Sequence, residues 1–145
     1  MFTRVAVLTF CLSASLAAQD AAPQIAQEND KEELETLQGD WEHVSITTGG
    51  KTRVFPTTTI STIKGDKWSI TTPARTETAT LTILVDGSKD PKTFDRKAPT
   101  GEGLPGIFKL EGDTLTIATD RSRMRPKDFI ATETKTLSVY KRVKK

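Results

Sequence analysis

The sequence predicts an all-β domain with one short helix in front of it. After Gly39 the apolar residues recur with a period of two, which is the pattern of strands that bury one face. The same region is rich in threonine, valine and isoleucine, and turn signals such as Gly65-Asp66 divide it into short pieces. We expect about eight antiparallel strands, which form either a sandwich or a closed barrel because no helix lies between them.

The predicted helix covers residues 29–37. Asn29 or Asp30 caps its start, and two glutamates follow in the first turn, where the helix dipole favours negative charge. Leu34 and Leu37 are three residues apart and therefore share one face of the helix.

The predicted strands are short, and tight turns join most of them. Their ranges are 41–48, 60–64, 67–72, 76–85, 92–96, 106–110, 114–119 and 136–143, with a further short piece at 128–131. Residues 97–105 and 120–126 are expected to form the longer loops. In the last strand Leu137, Val139 and Val143 are predicted on one face, because alternate residues of a strand point the same way.

Residues 1–17 are typical of a signal peptide. Arg4 supplies the positive charge, an apolar run of about a dozen residues follows, and Ser15 and Ala17 are small residues where a signal peptidase checks for them. The run is shorter than the ~20 residues that span a bilayer, so a retained anchor is the less favoured alternative. We expect export to the periplasm or out of the cell, a flexible leader at 18–28, and no membrane insertion after cleavage.

Composition excludes several classes of function. The only cysteine is Cys11, which the predicted cleavage removes, so we expect a mature protein without disulfides or thiol chemistry. The formal net charge is +2 and the charges are interspersed, so there is no electrostatic footprint for nucleic acid. Residues 29–145 are long enough for a single domain, which we expect to be monomeric.

A Gly-x-Trp box, formed by Gly39 and Trp41, follows the predicted helix and opens the first strand. In this position the box resembles the signature of the lipocalin/calycin superfamily. The resemblance implies an eight-stranded up-and-down barrel whose closed end is plugged by Trp41. It also implies that Arg142, in the last strand, packs across that tryptophan.

A closer resemblance covers nearly the whole predicted domain. Four boxes occur in order, at 37–41, 90–95, 106–115 and 125–129. Together they resemble a family of small lipocalin-like proteins that is expanded as many paralogues in planctomycete bacteria. That family has no established biochemical activity, so the resemblance implies architecture and compartment alone. The sequence departs from the family at His43, where an aliphatic residue is usual, and in the unusually polar segment 71–80.

His43 is the only histidine of the chain. It lies two residues after Trp41, so both side chains are predicted on the same side of the strand, and His43 would then line the barrel interior. There it would offer a pH-sensitive polar contact for a ligand. The alternative is a hydrogen-bonded or partly exposed strand histidine without a role in binding. A single histidine also excludes a His-rich zinc site within a monomer.

Arg121 and Arg123 belong to a cluster of basic residues in one predicted loop, together with Arg125 and Lys127. At the mouth of a barrel Arg121 and Arg123 would meet an anionic ligand. The alternative is an ordinary solvated loop. The aspartates at 86, 90 and 95 lack the spacing of a helix–loop–helix calcium site, and turn chemistry explains them better. We therefore expect no metal and no cofactor.

No catalytic set can be assembled from the sequence. Ser45 lies near His43 and on the predicted same face, but no strained nucleophile turn surrounds it. We expect binding rather than catalysis, with a small apolar or amphipathic ligand at the open barrel end. A barrel of eight strands is just wide enough to hold one small ligand or to be filled by side chains. The alternative is therefore a packed barrel that binds a protein or cell-envelope partner through its surface.

Overall fold

A computed structural model describes residues 22–55, 59–72 and 79–144. The predicted signal peptide, residues 18–21 of the leader and most of the polar segment 71–80 lie outside the described residues. No helix among the described residues is both long and apolar enough to cross a membrane.

The helix α1 (Ala22–Thr36) starts seven residues before the predicted start at Asn29 and takes in residues 22–28 of the predicted leader. Alanine, glutamine and glutamate favour helix, and a proline is tolerated at Pro23 because the first-turn N–H has no partner within a helix. The Gln38 side chain ties the helix end to a distant turn. Its Nε2 donates to the Leu34 carbonyl (2.9 Å) and its Oε1 accepts from the Gly65 N–H (2.7 Å).

Ten β segments follow the helix. They are β1 (Gly39–Thr48), β2 (Lys51–Val54), β3 (Ile60–Lys64), β4 (Lys67–Thr71), β5 (Thr80–Asp86), β6 (Thr93–Lys97), β7 (Gly103–Leu104), β8 (Gly106–Glu111), β9 (Thr114–Asp120) and β10 (Lys135–Arg142). All their pairings are antiparallel, and β10 returns to pair with β1. The sheet is therefore a closed barrel with up-and-down connections, as predicted.

The ten segments make eight barrel strands, because two strands are interrupted. The segments β2 and β3 pair with the second and first halves of β1, and β7 and β8 both pair with β6. The second break falls at Pro105, which has no N–H for the ladder. Next to it, a Cβ on Gly106 would lie 2.8 Å from the carbonyl oxygens of Phe94 and Ala118, so only glycine fits there. The segments β2 and β7 were not predicted from the sequence.

The short piece expected at 128–131 does not form a strand. These residues belong to the connection 121–134 between β9 and β10. Asp128 Oδ1 accepts a hydrogen bond from the Ile130 N–H (3.1 Å), so the side chain competes for a backbone group that a strand would need.

The barrel has one closed end and one open end. The closed end carries α1, the β3–β4 and β8–β9 turns and the segment 87–92, which Asp30 holds through Gly87 N–H (3.1 Å) and Glu33 holds through an ion pair with Lys92. The open end carries the connections 97–105 and 121–134. Above the closed end, the interior is filled by a cluster made of Leu37, Trp41, Ile63, Trp68, Ile83, Phe94, Phe108, Leu115, Ile117 and Tyr140.

In β10 the aliphatic residues lie on the outer face, whereas the buried face is the inner one. Thr136, Ser138 and Tyr140 are buried and face inward, whereas Leu137 and Val139 lie on the outer wall. The outer wall is itself covered here, since Ile107 and Ala118 are buried although they face outward. Alternation alone does not tell the inner face from the outer face where both are buried.

Candidate binding site at the open end of the barrel

The closed end is sealed by Trp41 and Arg142. The indole of Trp41 is fully buried and donates from Nε1 to the Leu37 carbonyl (2.8 Å). The guanidinium carbon of Arg142 lies 4.2 Å from the centroid of the indole, a geometry worth about 0.5–2 kcal/mol as a cation–π contact. Arg142 also donates to the carbonyls of Gln38 (2.8 Å) and Thr36 (2.7 Å), so it caps the end of α1 as well.

Gly39 is part of the same arrangement. Its φ is +116°, which a residue with a side chain rarely adopts, and a Cβ there would lie 3.7 Å from Arg142 Nη1. The glycine therefore lets the chain turn from α1 into β1 directly beneath the arginine. The structure brings together the three residues that the resemblance placed in the plug.

His43 lies above the plug and faces the interior. Its ring is stacked between Phe55 (4.0 Å between centroids) and Tyr140 (4.4 Å). The pKa of His43 is lowered to about 4, first by burial and then by the positive charges of Arg96 and Arg53, while a backbone hydrogen bond with Ser45 acts in the opposite direction. His43 is therefore neutral at pH 7, and its ring is packed between two aromatic side chains although the residue is only partly buried.

The predicted shared face of His43 and Ser45 is wrong. A β-bulge lies between them, because His43 pairs with Tyr140 whereas Ser45 pairs with Val139, the next residue toward the N-terminus. The extra residue reverses the alternation, so Ser45 belongs to the outer face along with Val139. Ser45 is thus not available to His43 as a nucleophile.

An array of aromatic rings crosses the interior at the level of His43. Beyond Tyr140 the array continues to Trp68, 5.3 Å away in an edge contact, and Trp68 carries the guanidinium of Arg96 at 5.8 Å. On the other side Phe55 carries the guanidinium of Arg53 at 4.7 Å. We call the set of Arg53, Phe55, His43, Tyr140, Trp68 and Arg96 the aromatic array. It has an arginine at each end.

Four buried polar atoms of the barrel interior have no hydrogen-bond partner within the described part of the chain. They are His43 Nε2, Ser61 Oγ, Trp68 Nε1 and Arg96 Nε. Ser61 faces inward with them, because it lies opposite Trp41 in the β1–β3 ladder. A buried polar group without a partner costs about 1–3 kcal/mol, and native structures contain few of them. Three of the four atoms belong to the aromatic array, which marks the array as a place where polar ligand atoms would be stabilised.

A cavity of about 360 Å³ opens at the mouth of the barrel next to the array. Its wall is formed by Leu81, Arg96, Ala98, Glu102, Gly103, Leu104 and Arg123. Arg123 donates to Glu102 across the rim (3.2 Å). Of the two predicted mouth arginines, Arg123 therefore reaches the cavity, whereas Arg121 is exposed in the connection 121–134 and takes no part in the wall.

The other charged residues of the predicted clusters are engaged elsewhere. Arg125 forms a bidentate pair with Asp95 (2.6 and 2.9 Å) and donates to the Gly106 carbonyl (2.8 Å). Asp86 accepts from the hydroxyl and N–H of Ser88, and these bonds hold the pKa of Asp86 below its usual range. No group of three or more His, Cys, Asp or Glu residues in the described ranges is placed to hold a metal ion.

Arg96 and Trp68 were not predicted from the sequence as site residues. One signal was available: Arg96 lies two residues after Phe94 in β6, so the period of two places both on the inner face. The proximity of Trp68 and His43 carried no such signal, because their strands are not neighbours in the sheet.

Fold and site together define a class of protein: a small, closed, eight-stranded up-and-down β-barrel with lipocalin-like architecture, plugged at one end and indented at the other. Comparison of the chain with models of protein families, with curated proteins and with solved structures finds no match in any of the three.

Proposed function

We propose that the protein is an exported lipocalin-like binding protein that holds one small amphipathic molecule at the open end of its barrel. The observation that carries the proposal is the composition of the mouth cavity. Apolar side chains (Leu81, Ala98 and Leu104) share its wall with Arg96, whose Nε has no partner among the described residues. A ligand with an apolar body and a polar end fits both parts of that wall.

The volume of the cavity limits the ligand to a small one. Ligand pockets generally measure about 300–1,000 Å³, and the mouth cavity, at about 360 Å³, is at the lower end of that range. The ring cluster around Trp68 and Phe94 fills the barrel beneath it, so a long chain has no room to extend toward the plug. Binding rather than catalysis is supported by the bulge, which turns Ser45 away from His43.

Export and family membership are parts of the same proposal. Residues 1–17 have the charge and apolar pattern of a signal peptide, and the four sequence boxes support membership of the planctomycete lipocalin-like family. Fractionation of the host, followed by mass measurement of the purified chain, tests export. We expect a periplasmic or extracellular protein that begins at Ala18, and an intact chain in the cytoplasm would contradict it.

Native mass spectrometry of protein purified from its own host tests binding. We expect a bound small molecule that is released on activation in the gas phase. The matched variants are Ala98→Trp, which fills the cavity, and Leu84→Trp, which adds the same side chain at an exposed site on β5. The ligand should be absent from Ala98→Trp and present in Leu84→Trp. Equal occupancy in both variants would place any ligand outside the mouth.

A second candidate function is a packed barrel that binds a partner through its outer wall. It is favoured by two larger cavities of about 400 and 490 Å³, which lie beside the segment 87–92 and share Asp90 and Pro91 in their walls. Cross-linking in the host followed by mass spectrometry tests this function. Cross-links confined to lysines beside Pro91, such as Lys89 and Lys92, together with an empty mouth, would favour the partner over the ligand.

A further inference from the structure

The two ends of the aromatic array differ from other parts of the protein in their charge balance. Arg125 and Arg142 each have carboxylate and carbonyl partners. Arg96, in contrast, has no carboxylate oxygen within the 4.0 Å of an ion pair in the described ranges, and neither does Arg53. The Nε atom of Arg96 is nevertheless buried.

No acidic side chain faces the interior from the described strand residues. The acidic residues of the strands alternate with inward neighbours, as Asp95 does between Phe94 and Arg96, and so lie on the outer wall. Glu102 reaches the rim of the mouth, where it is engaged by Arg123. Within the described ranges, the interior thus presents a positive charge without a compensating negative one, and a buried charge is costly unless it is paired.

We propose that the ligand carries an anionic head group and that Arg96 binds it, with the indole N–H of Trp68 as a second donor. This inference deepens the binding function proposed above and rests on it. The head group enters first and lies against Arg96, whose guanidinium packs on the ring of Trp68, while the apolar body contacts Leu81, Ala98 and Leu104 in the mouth. Guanidinium groups favour anions because they offer five donors in a fixed fork.

The charges that face His43 also favour a ligand with an anionic head group. Arg53 lies on β2 and Arg96 on β6, and after burial their positive charges are the next causes of the lowered pKa of His43. Tyr140, on β10, is the remaining titratable group in contact, and burial raises its pKa, so it stays neutral. An anion beside Arg96 would oppose both arginines, and we expect it to raise the pKa of His43.

Calorimetric titration with a matched pair of probes tests the inference. Octane-1-sulfonate and octane-1-sulfonamide have the same shape, and only the first is charged through the acidic and neutral range. We expect the wild-type protein to bind the sulfonate about tenfold or more tightly than the sulfonamide, as for a hydrogen bond to a charged group. Arg96→Gln should lose that preference and keep its affinity for the sulfonamide within about twofold. Arg121→Gln, at an exposed arginine outside the cavity, should behave like the wild type.

The outcomes separate this inference from the function on which it rests. If the wild-type protein and Arg96→Gln bind both probes equally, the anionic head group is wrong and small-molecule binding stands. If neither probe binds the wild-type protein, the proposed function itself is contradicted. NMR titration of His43 in the wild-type protein gives an independent measure that needs no variant. The sulfonate should raise the pKa of His43 above its value of about 4 in the free protein, and an unchanged pKa in the saturated complex would overturn the inference.

Discussion

Replacing Trp41 with alanine removes the centre of the closed end. The indole is fully buried, donates to the Leu37 carbonyl and lies under the guanidinium of Arg142. Truncation of a buried tryptophan costs about 3–5 kcal/mol through lost burial and the cavity left behind. A domain is stable by only about 5–15 kcal/mol, so the Trp41→Ala variant should lose a large part of its free energy of unfolding.

Trp41→Phe distinguishes the contribution of the aromatic ring to stability from that of the indole hydrogen bond. It keeps most of the apolar volume and the face on which Arg142 rests, and it leaves the Leu37 carbonyl without its indole donor. We expect it to cost about 1–3 kcal/mol, as for a buried acceptor that loses its partner. Val54→Ala, at a side chain that is 70% exposed, should change the free energy of unfolding by at most about 0.5 kcal/mol.

Urea unfolding followed by far-ultraviolet circular dichroism measures all three variants, because that signal does not depend on the tryptophan itself. The urea midpoint should be highest for Val54→Ala, lower for Trp41→Phe and lowest for Trp41→Ala. A midpoint of Trp41→Ala equal to that of the wild-type protein would refute the plug, since it would show that the closed end is not held by this side chain.

Three further predictions concern single contacts. The pKa of His43 is lower in the folded protein than in the unfolded chain, so acid favours the unfolded chain. The free energy of unfolding should therefore fall by about 1–2 kcal/mol as the pH is lowered from 6.5 to 4, after allowance for the partial exposure of His43. Urea titrations across that pH range measure the loss, which His43→Phe should remove. Gly39→Ala should cost about 1–3 kcal/mol in the same assay because of the strained φ, and a neutral result would mean that the turn relaxes. Arg125→Ala breaks a partly exposed bidentate pair with Asp95 and should cost about 1 kcal/mol, with less effect at high salt.

The barrel could be predicted from the sequence because its signals are local. The hairpin formed by β8 and β9 alternates clearly and turns at Gly112-Asp113, and the positions of β3 and β4 follow from the same pattern. The segments β2 and β7 were missed because they are the ends of interrupted strands, and neither is long enough to show a period. Leu137 and Val139 do share one face of the last strand, but alternation alone could not show that this face is the outer one, because the outer wall next to Leu137 is also buried at Ala118.

The candidate site could be predicted only in part. Trp41 and Arg142 follow from a short motif and from the closure of a barrel, which brings the first and last strands together. The aromatic array depends on side chains from β1, β4, β6 and β10 and the residue after β2, whose meeting is a tertiary property. The bulge after His43 likewise depends on how β1 pairs with its neighbouring strands. The sequence of β1 alone therefore does not predict it.

The central claim is that ligands enter at the end opposite the plug, and the two indole N–H signals of the protein test it directly in a proton–nitrogen NMR spectrum. Trp41 Nε1 is bonded to the Leu37 carbonyl at the closed end, whereas Trp68 Nε1, beside Arg96, has no partner among the described residues. Titration with octane-1-sulfonate should shift the Trp68 signal and leave the Trp41 signal in place. A shift of Trp41 alone, or no shift of either signal at saturating probe, would contradict the account.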